Sequence, residues 1–362
     1  MALLLAALAV AFANGANDNS KGVATLLGAG IMDRRRAIAF ATVTTLAGSL
    51  AAVLLAGALV RRFSGKGLVP EAVASNPTFL LAVAIGAAAT ILFATRFGVP
   101  ISTTHALTGA LMGSGMVLAG PAAVSYATLG TGFVMPLLLS PLVSLSLTAA
   151  GYTTLRRLRV ALGVSEETCV CVEPSRELVL AETGARLETG GLRLSVCSTC
   201  EKPQGSGLRI GSLPLLNGIH ALSAGAVGFA RGLNDTPKIA ALLALGSLGG
   251  FPSLALVGGA IAVGGLLAAR RVATTMAFGI TGMNEGQAAT ANIVTAALVV
   301  VASPLGLPVS TTHVSCGALF GIGAVTGEAR WRTIGGILAA WVVTLPIAAA
   351  LAAAAALAFG AR

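Results

Sequence analysis

Two unrelated segments of this chain each occur twice, in the same order. Residues 15–21, Gly-Ala-Asn-Asp-Asn-Ser-Lys, return as Gly-Leu-Asn-Asp-Thr-Pro-Lys at 232–238. Residues 98–105, Gly-Val-Pro-Ile-Ser-Thr-Thr-His, return as Gly-Leu-Pro-Val-Ser-Thr-Thr-His at 306–313. The second match continues: Gly109, Ala110, Leu111, Gly113 and Gly115 recur at Gly317, Ala318, Leu319, Gly321 and Gly323. Chance does not place two motifs in one order twice, so the fold must accommodate two related halves.

The solvent of those halves follows from their side chains. Of 362 residues, 56% are hydrophobic and only 10% charged, whereas a soluble domain carries about a quarter charged residues. Lipid must therefore face most of the surface. Apolar stretches at about 2–30, 37–60, 78–95, 99–118 and 122–155, and again at about 212–246, 247–269, 286–303, 304–323 and 333–359, reach or approach spanning length. The expected fold is an all-α polytopic membrane protein of two inverted-topology repeats, with broken helices, re-entrant hairpins and roughly 10–12 transmembrane segments. Breaks are expected within 2–30 and 212–246 at the Asn-Asp motifs, and at the Gly-x-Pro starts of 99–118 and 304–323. Irregular backbone at membrane depth is tolerated only where it lines a cavity or is buried in protein.

The net charge of +10 does not point to nucleic acid. Basic residues lie in short clusters between apolar runs, and aromatics, at 4%, do not interleave with them. Such clusters set topology. With the N-terminus outside and five crossings per half, Arg34–Arg36, Arg96, Arg156–Arg159, Arg270, Arg271, Arg330 and Arg332 fall inside. Only Arg61, Arg62 and Lys66 are misplaced. Residues 1 to about 16 mimic a secretory signal but lack its positive n-region, and the repeat makes them part of the first membrane segment.

The expected organisation is an N-terminal membrane repeat at 1–155, a cytoplasmic inter-repeat loop at 156–211 and a C-terminal repeat at 212–362. The loop holds seven glutamates between 166 and 201, short alternating runs such as 178–181 and 192–196, and four of the five cysteines. Cys169, Cys171, Cys197 and Cys200 form two close pairs that suit either a structural zinc site or plain cytosolic thiols.

The duplicated motifs carry the chemistry. Asp18 and Asp235 are carboxylates within apolar segments, where a charge costs several kcal/mol and marks an ion path by default. Pairing with Lys21 and Lys238, each three residues on, is the structural alternative. With Asn17 and Asn234 they offer hard oxygens to Na⁺, or a carboxylate to a proton. The Ser-Thr-Thr-His runs follow a proline at a helix start. Ser102, Thr103, Thr104, Ser310, Thr311 and Thr312 therefore surround free backbone N–H groups, which favour a phosphate-like anion. His105 and His313 suit helix-end hydrogen bonding. Bringing a dianion into a negative-inside cell costs about 4.6 kcal/mol per 100 mV. Co-import of Na⁺ or H⁺ offsets that, and no other cofactor is needed.

At these residues the chain resembles the PiT family of inorganic phosphate transporters, over roughly 10–155 and 212–350. The resemblance implies a secondary transporter, not an enzyme, that imports phosphate across the cytoplasmic membrane with Na⁺ or H⁺ and works as a homodimer. It implies cation- and substrate-site roles for Asn17, Asp18, Asn234 and Asp235, and phosphate ligation by the six hydroxyl residues. Lys21 departs from the Asn common in the family, and Arg231 from a His. The rivals are a sulfate or other oxyanion permease and a membrane sensor acting through the Cys-bearing loop.

Overall fold

The computed structural model describes residues 1–180, 186–197, 208–243 and 250–360. The first half runs α1 (Ala2–Asp18), α2 (Ala24–Gly28), α3 (Arg34–Leu55), α4 (Gly57–Phe63), α5 (Glu71–Ala74), α6 (Pro77–Arg96), α7 (Thr103–Leu118), α8 (Tyr126–Leu129) and α9 (Met135–Ala161). Between the halves lies an antiparallel sheet ordered β2-β1-β3, from β1 (Cys169–Leu180), β2 (Arg186–Cys197) and β3 (Leu208–Gly211). The second half runs α10 (Ser212–Ala240), α11 (Phe251–Ala268), α12 (Arg270–Thr274), α13 (Glu285–Ala302), α14 (Thr311–Thr326) and α15 (Trp331–Gly360).

Helix starts follow local chemistry. Asp33 caps α3 by accepting from Arg35 N and Arg36 N. Asn76 caps α6, with Pro77 at its first position, and Asn284 with Gln287 forms a capping box on α13. Ahead of α7 and α14 stand Gly98 and Gly306, at φ +70 and +67. Such φ values suit glycine alone, and the proline two residues on keeps the chain extended until the helix begins.

Seven helices among the described residues are long and apolar enough to cross a membrane: α3, α6, α8–α9, α10, α11, α13 and α15. The protein is thus a helical, multi-pass membrane protein, as expected. The other three of the ten apolar stretches become shorter helices: α1 with 17 residues, and α7 and α14 with 16 each. One expectation is corrected. In the first half the break falls at the motif, α1 ending on Asp18 and α2 starting at Ala24, but α10 runs unbroken through its own motif to Ala240 with Pro237 inside it. There the motif's polar side chains have partners across the protein, so backbone need not be freed to meet them. The last helix of the first half also runs to Ala161, past the boundary expected at 155. The strand-like runs expected at 178–181 and 192–196 fall on β1 and β2, except that Ala181 lies outside the described residues.

The halves interlock through glycine. A Cβ on Gly15 of α1 would sit 2.0 Å from Ile261 O of α11, and one on Gly232 of α10 would sit 2.0 Å from Thr45 O of α3. A Cβ on Gly109 of α7 would meet Leu345 O of α15 at 2.2 Å, and one on Gly317 of α14 would meet Pro141 O of α9 at 2.5 Å. Each contact in one half has its mate in the other, and every one crosses between halves. Close backbone approach through small residues is how membrane helices associate without a hydrophobic drive.

Candidate functional site: a buried ionic cluster between the halves

The C-terminal ends of α1 and α10 meet the N-terminal ends of α7 and α14 at the centre. Lys21, Asp18, Arg231, Asp235 and Lys238 gather there, none more than 2% exposed. Three cationic side chains face two carboxylates, leaving one positive charge in excess. Desolvating each ion costs several kcal/mol, so such a cluster persists only with dense compensating contacts.

Those contacts are present and nearly repeated. Lys21 Nζ lies 2.7 Å from Asp18 Oδ1 and crosses to the other half, donating to Thr311 Oγ1 at 3.2 Å and to Thr312 Oγ1. Lys238 Nζ lies 3.4 Å from Asp235 Oδ1 and crosses back to Thr104 Oγ1 at 2.9 Å, while also donating to Val309 O at 2.7 Å. Thr103 Oγ1 donates to Asp18 Oδ2 at 3.1 Å, and Thr311 Oγ1 to Asp235 Oδ2 at 3.3 Å. Each carboxylate thus holds the first helical threonine of its own half, and each ammonium reaches the hydroxyls of the opposite half.

Asn17 and Asn234 clamp the extended segments before the helices. Asn17 Nδ2 donates to Val99 O and Thr95 Oγ1, both at 3.0 Å, and Asn17 Oδ1 accepts from Ile101 N at 3.1 Å. Asn234 Nδ2 donates to Val309 O at 3.2 Å, and its Oδ1 accepts from Ser303 Oγ at 3.3 Å. Ser102 and Ser310 are the N-caps: their hydroxyl oxygens accept from His105 N and His313 N at 3.1 and 3.2 Å. The histidine rings meet edge to face with centroids 4.5 Å apart. Their Nδ1 atoms lie 3.2 Å from Trp341 O and 3.0 Å from Leu137 O.

Two residues outside the expected site bind it together. Asn14 Nδ2 lies within 3.0 Å of Asp18 Oδ2 and Thr103 Oγ1 and 3.2 Å of Asp235 Oδ2, bridging both carboxylates. Arg231 donates to Asn14 Oδ1 at 2.6 Å, to Asn19 Oδ1 and Thr45 Oγ1 at 3.1 Å, and its Nε lies 3.9 Å from Asp235 Oδ2. Asn14 and Arg231 each stand just before their motif's glycine. That shared offset was the one available signal, since equivalent positions that lie on a two-fold axis meet there; the sequence does not say which positions those are.

The cysteines lie elsewhere. Cys169 pairs with Cys197 in the β1–β2 register and is disulfide-bonded. A disulfide sulfur offers no thiolate, so zinc binding by Cys169 requires that bond reduced. Cys171 lies on β1, and Cys200 is outside the described residues.

Comparison with known proteins reaches the whole chain. Inorganic phosphate transporter 2-1, chloroplastic, of Arabidopsis thaliana is 28% identical, covering 97% of this chain and 70% of its own length. A "probable low-affinity inorganic phosphate transporter" of Rhizobium meliloti is 26% identical, over 97% of this chain and 93% of its own. One solved structure, of a sodium-dependent phosphate transporter, shares the fold with a TM-score of 0.75 over 100% of both chains at 22% identity. These relatives are transporters, not enzymes. The family model described as the phosphate transporter family matches residues 14–352, and the chain belongs to that family.

Proposed function

We propose that this protein imports inorganic phosphate across the cytoplasmic membrane, by alternating access around the central cluster, with its two repeats inverted and the β-sheet region in the cytoplasm. One observation carries the reading: two Ser-Thr-Thr helix starts converge on a buried cluster with a surplus positive charge. Free N–H groups, hydroxyls and ammonium groups are what phosphate oxygens select, and an entering anion supplies the missing counter-charge. Thr103, Thr104, Thr311 and Thr312, with Ser102 and Ser310, are the phosphate ligands in this reading. Asp18, Asp235, Asn17 and Asn234 make up the cation side, and His105 and His313 steady the two helix starts. Assembly as a homodimer belongs to the same reading, on family resemblance alone.

The coupling ion we favour is the proton. Hard cations take carboxylate, hydroxyl and carbonyl oxygens, and in each half a lysine ammonium already sits among such oxygens. A tethered cation there leaves less room for Na⁺. The test is uptake of ³²P-phosphate into proteoliposomes under an imposed pH gradient, an imposed Na⁺ gradient, or neither. The expected outcome is uptake driven by an acid-outside gradient without Na⁺. Uptake insensitive to both gradients sinks the coupled mechanism, and full competition by equimolar sulfate replaces phosphate with a broader oxyanion class.

A further inference from the structure

Arg61, Arg62 and Lys66 break the charge rule that the other basic clusters obey, and the structure gives them a place. They line a cavity of about 640 Å³ together with Leu80, Ala241 and Gly306. A second cavity, of about 750 Å³, is lined by Arg96, Gly98, Arg270 and Arg271. Among the described residues no acidic side chain lines either one, although Lys66 pairs with Glu71 at 2.9 Å.

The two are mates in the fold. The first touches α4, the short helix after α3, and Gly306, which opens the path to α14. The second touches α12, the short helix after α11, and Gly98, which opens the path to α7. They also lie at opposite ends of one membrane helix. Leu80, near the start of α6, lines the first, and Arg96, its last residue, lines the second. The sixteen residues of helix from Leu80 to Arg96 rise about 24 Å, most of a bilayer core.

Each cavity abuts the cluster by way of a ligand segment. Gly98 adjoins Val99, whose carbonyl accepts from Asn17. Gly306 lies three residues before Val309, whose carbonyl accepts from Lys238 and Asn234. On the first side a single aromatic follows Arg62: Phe63, buried, lies with its ring centroid 5.8 Å from Lys238 Nζ and packs edge to face on Phe133.

We infer that these are paired staging sites for phosphate-class oxyanions, one on each face of the membrane. The Arg61/Arg62 cavity loads the anion from outside, and the Arg96/Arg270/Arg271 cavity receives it inside. Either has room for a hydrated anion, on the order of twenty waters at roughly 30 Å³ each. A cleft of one charge sign with low-dielectric walls raises the local concentration of its counter-ion. This gives the basic residues on the outer face a use against the topology rule: one arginine pair stands on each side, and the anion uses both. The inference rests on the phosphate-import reading above.

The experiment measures ³²P-phosphate uptake and efflux in cells and in proteoliposomes of purely zwitterionic lipid, at low and high salt. The variants are the doubles Arg61→Gln/Arg62→Gln and Arg270→Gln/Arg271→Gln, with Arg→Lys doubles as charge-preserving partners. Neutralising the outer pair is expected to raise the uptake KM roughly tenfold at low salt, with a smaller change at high salt and recovery in the Lys double. Neutralising the inner pair should raise the efflux KM and spare the uptake KM. An unmoved KM, a Lys double as impaired as the Gln double, or an effect seen only with anionic lipid present would each overturn the inference; the last would assign the arginines to lipid phosphates. Uptake by the unaltered chain with any of these results leaves the import reading standing. No phosphate transport by the unaltered chain removes both.

Discussion

Asn14 and Arg231 occupy the same place in the two repeats and differ most in charge. They touch, with an Arg231 N–H 2.6 Å from Asn14 Oδ1. At the other such meeting point, His105 and His313 are identical and pack as rings. The contrast shows what the duplication permits. Identical rings can meet edge to face at an axis, but two guanidinium groups at hydrogen-bond distance would repel without a counter-charge. One arginine facing one amide closes the interface, satisfies a buried carbonyl oxygen, and leaves the cluster with its positive surplus.

That asymmetry predicts unequal carboxylates. Asp235 accepts from Asn14, Asn234 and Thr311 and lies near both Lys238 and Arg231. Asp18 has one close ion-pair partner, Lys21. Either Asp→Asn change leaves three cations facing a single carboxylate, but Asp235→Asn unpairs both Lys238 and Arg231 whereas Asp18→Asn unpairs Lys21 alone. Breaking a buried ion pair costs about 3–5 kcal/mol. We expect Asp235→Asn to abolish phosphate uptake and to lower detergent-solubilised thermal stability more than Asp18→Asn does. Equal losses in the two variants, by uptake and by melting, would mean that the halves share the load despite Arg231.

Arg231→Asn makes the axis symmetric and is the next largest effect. It removes the surplus charge and leaves Asn14 Oδ1 and Thr45 Oγ1 without their guanidinium partner. Lost bonds from a charged donor are worth about 1.5–3 kcal/mol each at most, and the two carboxylates still face two lysines. Folding should therefore survive. The phosphate KM should rise more than tenfold, while the pH profile of uptake keeps its shape. An unchanged KM would show that the surplus charge does not serve the anion.

The sequence made the residue types of the site legible because duplication selects them: a lone Asp–Lys pair is ordinary, and a repeated Asn-Asp-x-x-Lys facing a repeated Ser-Thr-Thr-His is not. It made the helical membrane fold legible through charge scarcity. It did not tell which faces meet. Asn14 lies one residue before the matched stretch, and its role depends on how α1 and α10 are seated, α1 against α11 through Gly15 and α10 against α3 through Gly232. The carbonyls of Val99 and Val309 carry no side-chain signature at all, although Gly-x-Pro announces that some carbonyl there is freed. The break expected at the second motif is absent from α10 for a related reason. A polar run inside an apolar helix reads as an interruption until its partners on other helices are known.

The smallest effect separates two roles for one residue type. Ser102 and Ser310 belong with the threonines as phosphate ligands by sequence, yet each hydroxyl oxygen already accepts the histidine N–H of its own helix. A capping serine replaced by alanine costs about 1 kcal/mol. Ser102→Ala and Ser310→Ala should each lower the melting temperature slightly and about equally, since the two caps have the same geometry. As each hydroxyl still has a hydrogen to donate, their phosphate KM should shift, but by less than in Thr104→Ala or Thr312→Ala, whose hydroxyls face the lysine of the opposite half. If the serine variants raise KM as much as the threonine variants while melting unchanged, the caps are ligands first, and the helix starts must hold their shape through Asn17 and Asn234 alone.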